Sequence, residues 1–127
     1  MQTIQQQRAG FALTQVQGAA SHLNSKQQTE YKSYASALPA MIHINGLGQA
    51  AAFYKSKGKG EEDKPHEMLY QLLSDWLTKP NQPYAGANDL IQAITVQDMH
   101  QYRLAQAEAQ ALMDWVKKFA KAYMAGD

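Results

Sequence analysis

From Gln2 to Tyr123 the apolar residues of this chain return every three or four positions, and no convincing strand-like alternation runs beyond four or five residues. That spacing lays apolar side chains along one side of successive helices, and such stripes can be buried only by packing helix on helix. The expected fold is all-α, a single-domain bundle of about five to six helices over residues 1–127. With 127 residues, 45% of them hydrophobic, the chain suffices for one core and is too short for two.

Turn and cap residues divide the pattern. A first helix, about Gln2 to Leu23, places Ile4, Phe11, Ala12, Val16, Ala19, Ala20 and Leu23 along one side, with glutamines and Arg8 on the other. Asn24 and Ser25 supply N-cap chemistry for a second helix, about Lys26 to Leu38, whose Tyr31, Tyr34, Ala35 and Leu38 share a face. Pro39 has no N–H and disfavours the helical conformation of its predecessor, so this helix is expected to stop or kink at Leu38. A third helix then carries "MIHINGLGQAAAFYKSKGKG" on a face of Ile44, Leu47, Ala51 and Tyr54. "KSKGKGEEDKP" reads as an exposed, mobile loop without an apolar anchor. A fourth helix, about Pro65 to Thr78, has Met68, Leu69, Leu72, Leu73, Trp76 and Leu77 in a stripe and ends at the loop "KPNQPYAGAND". Asn88 or Asp89 caps a short fifth helix with Leu90, Ile91 and Ile94. Asp98 and Gln101 form a capping-box signature for the last helix, where Met99, Tyr102, Leu112, Val116, Phe119 and Tyr123 line the buried side until Gly126. "QQQ" and "AQAEAQA" read as helix-friendly surface.

Candidate chemistry is sparse. "GLGQAA" fits the glycine pattern of a dinucleotide-binding turn, but that turn works only between a strand and a helix of a βαβ unit, and no second strand follows. The fingerprint is therefore a decoy, and no Gly-Lys-Ser or Gly-Lys-Thr exists to make a P-loop. Inside a helix Gly46 and Gly48 would each cost about 1 kcal/mol relative to alanine, and the expected reason is close approach of another backbone, a neighbouring helix rather than a partner chain. His22, His43, His66 and His100 show no ligand spacing and there is no cysteine, so no metal and no cofactor are expected. Asp75, Glu108 and Asp114 are read as solvated and Asp89 and Asp98 as caps, which leaves no catalytic pair and points away from an enzyme. The lack of cysteine, of a signal peptide and of a membrane span makes a soluble cytoplasmic protein with no membrane contact the expectation.

Charge is unevenly spread. Residues 1–60 carry six basic side chains against Glu30 alone, a net +5, while residues 61–127 carry six against ten acidic ones, a net −4. The imbalance suits a polyanion-binding face, or two complementary surfaces that let copies stack head to tail, unless folding intermixes the halves. Lys55, Lys57 and Lys59 run off the third helix, where its dipole alone accounts for Lys55 and Lys57, and the three together also suit sequence-independent phosphate contact. Tyr31, Tyr34, Tyr54 and Tyr102 are read as core, so exposed stacking aromatics are not evident.

"LPAMIHINGLGQAAAFYKSK" resembles a signature of the small all-helical subunit, the fifth, of the Cmr complex, a type III-B CRISPR RNA-silencing effector. "QRAGFAL", "LYQLLSDWL" and "YRLAQAEAQALMDWVKKFA" resemble that family's first, middle and last helices in order, so the resemblance covers nearly the whole chain. It implies a helical bundle without catalysis of its own. Several self-stacking copies would form a minor filament beside the backbone subunit that holds the guide RNA, with the large subunit as another partner, and help shape the groove for target RNA. The residues named for nucleic acid rest on charge placement: Arg8, Lys55, Lys57 and Lys59, then Lys26 and Lys117. They would contact phosphates while base pairing reads sequence. The alternative is a protein-only helical adaptor that touches no RNA.

Overall fold

The computed structural model describes residues 1–126, and the described residues form six helices and no strand: α1 (Ile4–His22), α2 (Ser25–Asn45), α3 (Leu47–Gly58), α4 (Pro65–Leu77), α5 (Leu90–Val96) and α6 (Met99–Tyr123). α6 lies against both α1 and α2 and also touches α4, while α4 packs on α2 and touches α1. α3 folds back on α2 and α4, and α5 packs against α3 and α4.

Local chemistry sets most boundaries. Thr3 and Asn24 each close a capping box with a glutamine three residues on, at the starts of α1 and α2. Asp89 caps α5 and Asp98 caps α6. At α6 only half of the expected box forms, because the Gln101 side chain donates to the Pro83 carbonyl at 2.7 Å and thereby ties the α4–α5 loop to the helix.

The core is filled by Leu38 and Ile42 of α2, Leu69, Leu72 and Leu73 of α4, and Leu112 and Val116 of α6, with Tyr31, Tyr70 and Tyr84 closing it. Ala105 and Ala109 are fully buried, so one side of "AQAEAQA" is core rather than surface; its small side chains let neighbouring helices pack close. Two residues assigned to the buried side of the last helix are exposed, Met99 at 66% and Tyr123 at 50%, because they lie at its ends, where the packing gives out.

Of the stop or kink expected at Leu38, the stop does not occur. α2 runs through Pro39 to Asn45, held by fully buried Leu38 and Ile42 on either side, and Gln110 of α6 donates to the Pro39 carbonyl at 2.9 Å. Tertiary packing outweighs the missing hydrogen bond. The break falls at Gly46, whose φ of +88° ends α2 and starts α3. Gly46 is thus the hinge of a helical hairpin and not a helix-interior residue. α3 has no side-chain cap of its own. Gln106 accepts from the Leu47 N–H at 2.9 Å and Tyr102 from the Gly48 N–H at 2.8 Å, so α6 caps α3 across the fold. The close approach expected at the glycines is therefore made by a side chain: a Cβ on Gly46 would lie 3.0 Å from the Tyr102 hydroxyl. Gly46→Ala is expected to cost about 1–3 kcal/mol, from the left-handed backbone and the displaced cap, read as a lower denaturant midpoint at unchanged slope.

Candidate nucleic-acid interface

Two of the six basic residues singled out from the sequence, Arg8 and Lys55, are paired with carboxylates inside the fold. Arg8 of α1 grips Glu108 of α6 with both arms of its guanidinium, at 2.6 and 2.9 Å, and the Trp76 indole N–H donates to the same carboxylate at 2.8 Å. Both charged side chains are mostly buried, at 16% and 12% exposure. Burial pushes the Glu108 carboxyl up, but the hydrogen bonds from Arg8 and Trp76 and the Arg8 charge outweigh it and hold it below the usual range. Glu108 is therefore a structural anion and not the solvated residue expected.

Lys55 donates to Glu67 at 2.8 Å and lies 5.1 Å over the Tyr70 ring. Glu67 is 2% exposed and also accepts from Gln71 at 2.9 Å and from the Gly60 N–H at 3.0 Å. This carboxylate clasps the segment expected to be mobile. Lys55 through Gly58 are helical, Gly58 is buried so tightly that a Cβ would meet Glu67 at 2.6 Å, and only residues 59–64 form the link to α4. The link turns through positive φ at Lys59 (56°) and Gly60 (74°). Its anchor is polar, which is why a search for an apolar anchor missed it.

With Arg8 and Lys55 paired internally, the exposed cations of the set are Lys57, Lys59 and Lys26, while Lys117 is half-buried on α6. Lys57 and Lys59 stand together at the C-terminal end of α3. Lys57 lies 5.5 Å over the ring of Phe53, which is 42% exposed, so an accessible aromatic does accompany these lysines. His66 stacks on Tyr34 at 3.8 Å beside them. Its pKa is lowered by burial and then by Lys57, against the opposing pull of Glu30. Among the described residues no group of three histidine, aspartate or glutamate side chains could hold a metal ion, and no helix is long and apolar enough to cross a membrane.

The two buried carboxylates make stability depend on acid. Their folded pKa values lie below the ordinary 4.5, so their contribution is complete above that value and is lost as pH falls through the lowered ones. A melting temperature that falls steeply below about pH 4.5, with a shallower fall in Glu67→Gln and Glu108→Gln, is the expected result.

This arrangement of six helices among the described residues matches known proteins along nearly its whole length. The family described as CRISPR-associated protein (Cas_Cmr5) matches residues 4–123. The chain belongs to the Cmr5 family. A relative from Thermus thermophilus, named CRISPR system Cmr subunit Cmr5, is 31% identical over 93 residues, which is 73% of this chain and 74% of the relative. The crystal structure of a CRISPR-associated Cmr5 family protein from the same organism superposes with a TM-score of 0.76 at 29% identity, covering 97% of this chain and 99% of that one. Membership makes the chain a small subunit of a type III-B Cmr complex, with other Cmr subunits as its expected partners. The Cmr5 resemblance drawn from "LPAMIHINGLGQAAAFYKSK" thus holds, and in the fold that stretch is the end of α2, the Gly46 hinge and most of α3.

Proposed function

We propose that this Cmr5 family member is a non-catalytic subunit of the cytoplasm that stacks in several copies beside the backbone filament and helps position the guide RNA–target RNA duplex. It would do so through phosphate contacts that carry no sequence information. The observation that supports this most directly is the pair of exposed lysines, Lys57 in the last turn of α3 and Lys59 at the start of a link whose course is held by buried Glu67. A clasped link presents its ammonium groups with less ordering cost than a free one. Lys26 is the next contact, with Lys117 behind it; Arg8 and Lys55 serve the scaffold instead, since each is committed to a buried carboxylate.

The test is a reconstituted Cmr complex carrying Lys57→Ala and Lys59→Ala. The slope of log affinity for target RNA against log salt should flatten by roughly one to two per copy that touches RNA, with little dependence on target sequence. An unchanged slope and affinity would favour the second reading, a protein-only adaptor, which draws on the exposed apolar side chains Ile44 (76%), Val96 (70%) and Met99 (66%).

A further inference from the structure

The hinge at Gly46 folds α3 back on α2, and the hairpin so formed keeps a row of exposed side chains that the core does not use. Gln49, Phe53 and Lys57 follow one another four residues apart on α3 and are all exposed, so they share one face of the helix. Beside them an open groove of about 450 Å³ is lined by Met41 and Asn45 of α2 and by Gln49 and Phe53 of α3. Among the described residues no charged side chain lines it. Lys57 stands one turn beyond, with its ammonium 5.5 Å over the Phe53 ring.

The ring is braced by its neighbours. Tyr54 and His66 meet Phe53 edge-on, at 6.0 and 6.3 Å between centroids. Tyr54 is itself fixed by donating its hydroxyl to the Tyr34 carbonyl at 2.7 Å, and His66 is stacked on Tyr34. A ring held in this way loses little freedom when something stacks on it. The amides at the other end of the row are uncommitted, because the hydrogen bonds from α6 that hold the hairpin are made by Tyr102, Gln106 and Gln110. Asn45 and Gln49 each offer both a donor and an acceptor, which suits the edge of any base.

We infer that this groove is a stacking site for one unpaired nucleotide of RNA, with Phe53 under the base, Asn45 and Gln49 on its edge and Lys57 on its phosphate. Phe53 and Lys57 are one helical turn, ~5.4 Å, apart, so both can engage the same nucleotide. Within an A-form duplex the faces of a base are covered by its neighbours, so such a platform takes single strands and not paired ones. The site rests on the RNA-positioning reading above and deepens it, adding to the phosphate contacts a contact with a base that no strand partner covers.

NMR of the full chain tests this, with three probes: a short single-stranded RNA, the same RNA annealed to its complement, and an abasic strand of equal length. The single strand should shift the side-chain amides of Asn45 and Gln49 and the ring protons of Phe53, while the duplex and the abasic strand should move only Lys57 and Lys59. Phe53→Leu keeps an apolar side chain at an exposed position and so leaves the fold intact; it should weaken single-strand binding by roughly tenfold and leave the abasic strand unaffected, and Phe53→Trp should restore the affinity. Equal shifts at the lysines alone from all three probes, or Phe53→Leu binding the single strand as the wild type does, would overturn the base site and leave phosphate contact standing. No shift from any probe up to about millimolar RNA would overturn it too, while phosphate contact is decided separately in the reconstituted complex. A groove silent to RNA in a chain whose Phe53→Leu variant enters that complex poorly would give the surface to a protein partner instead.

Discussion

Glu67→Ala is expected to remove about 2–4 kcal/mol of stability and to release the link after α3. The side chain is 2% exposed and satisfies three donors, Lys55, Gln71 and the Gly60 N–H. Lys55 is 35% exposed and can turn to water once its partner is gone, so the ion pair supplies only a minor part of the loss. The larger part comes from the space opened beside Gly58, whose backbone is packed directly against Glu67, while the N–H of exposed Gly60 can turn to water and adds less. Denaturant unfolding reads the total. Hydrogen exchange at Gly60 reads the local part and should quicken more than exchange in the core of α4. Glu67→Gln keeps an acceptor for Gly60 but turns N–H groups toward Lys55, so its cost should fall between wild type and alanine. Under the RNA-positioning reading, Glu67→Ala should also lower RNA affinity in the complex even though both lysines remain.

Glu108→Ala is expected to cost about 3–5 kcal/mol, the largest effect of a single polar substitution in this chain. It would leave the Arg8 guanidinium, 16% exposed, without its counter-charge and the Trp76 indole N–H without an acceptor. The informative comparison is Arg8→Met with Glu108→Leu. Replacing both partners with apolar groups of similar volume removes the buried charges together and should recover much of the loss, leaving mainly the indole N–H unpaired. The stability cycle over the two sites should therefore show strong coupling. The same cycle decides the role of Arg8: as a scaffold residue it can be lost along with Glu108 with little effect on RNA affinity in the complex, whereas an RNA contact could not.

Helix placement was legible because its causes are local. The three-to-four spacing of apolar residues and the caps Asn24, Asp89 and Asp98 marked α1, α4, α5 and α6 to within a few residues. Pro39 misled for a related reason: its penalty is a local quantity, while the burial of Leu38 and Ile42 that overcomes it depends on α4 and α6. Gly46 is costly only if it lies within a helix, and a glycine that follows Asn45 and precedes a leucine equally marks a helix end.

Glu108 could have been suspected, since Leu104, Glu108, Ala111 and Trp115 follow one another at helical spacing and place a carboxylate in line with apolar neighbours. Glu67 gave no such sign, because an acidic residue in the first turn of a helix is already explained by the helix dipole.

The sequence by itself determined the all-helical class, the helix order, the single core and, through one stretch with a leucine-proline step, an asparagine-glycine pair and a closing Tyr-Lys-Ser-Lys, the family. Only the tertiary structure decided where the charges ended up. The partners Arg8 and Glu108 are a hundred positions apart, and Lys55 meets Glu67 only once α3 has packed on α4. Periodicity and capping act over a few residues and are written in local order, whereas a charge finds its partner, or is left without one, only after the helices have chosen their neighbours by burying apolar surface.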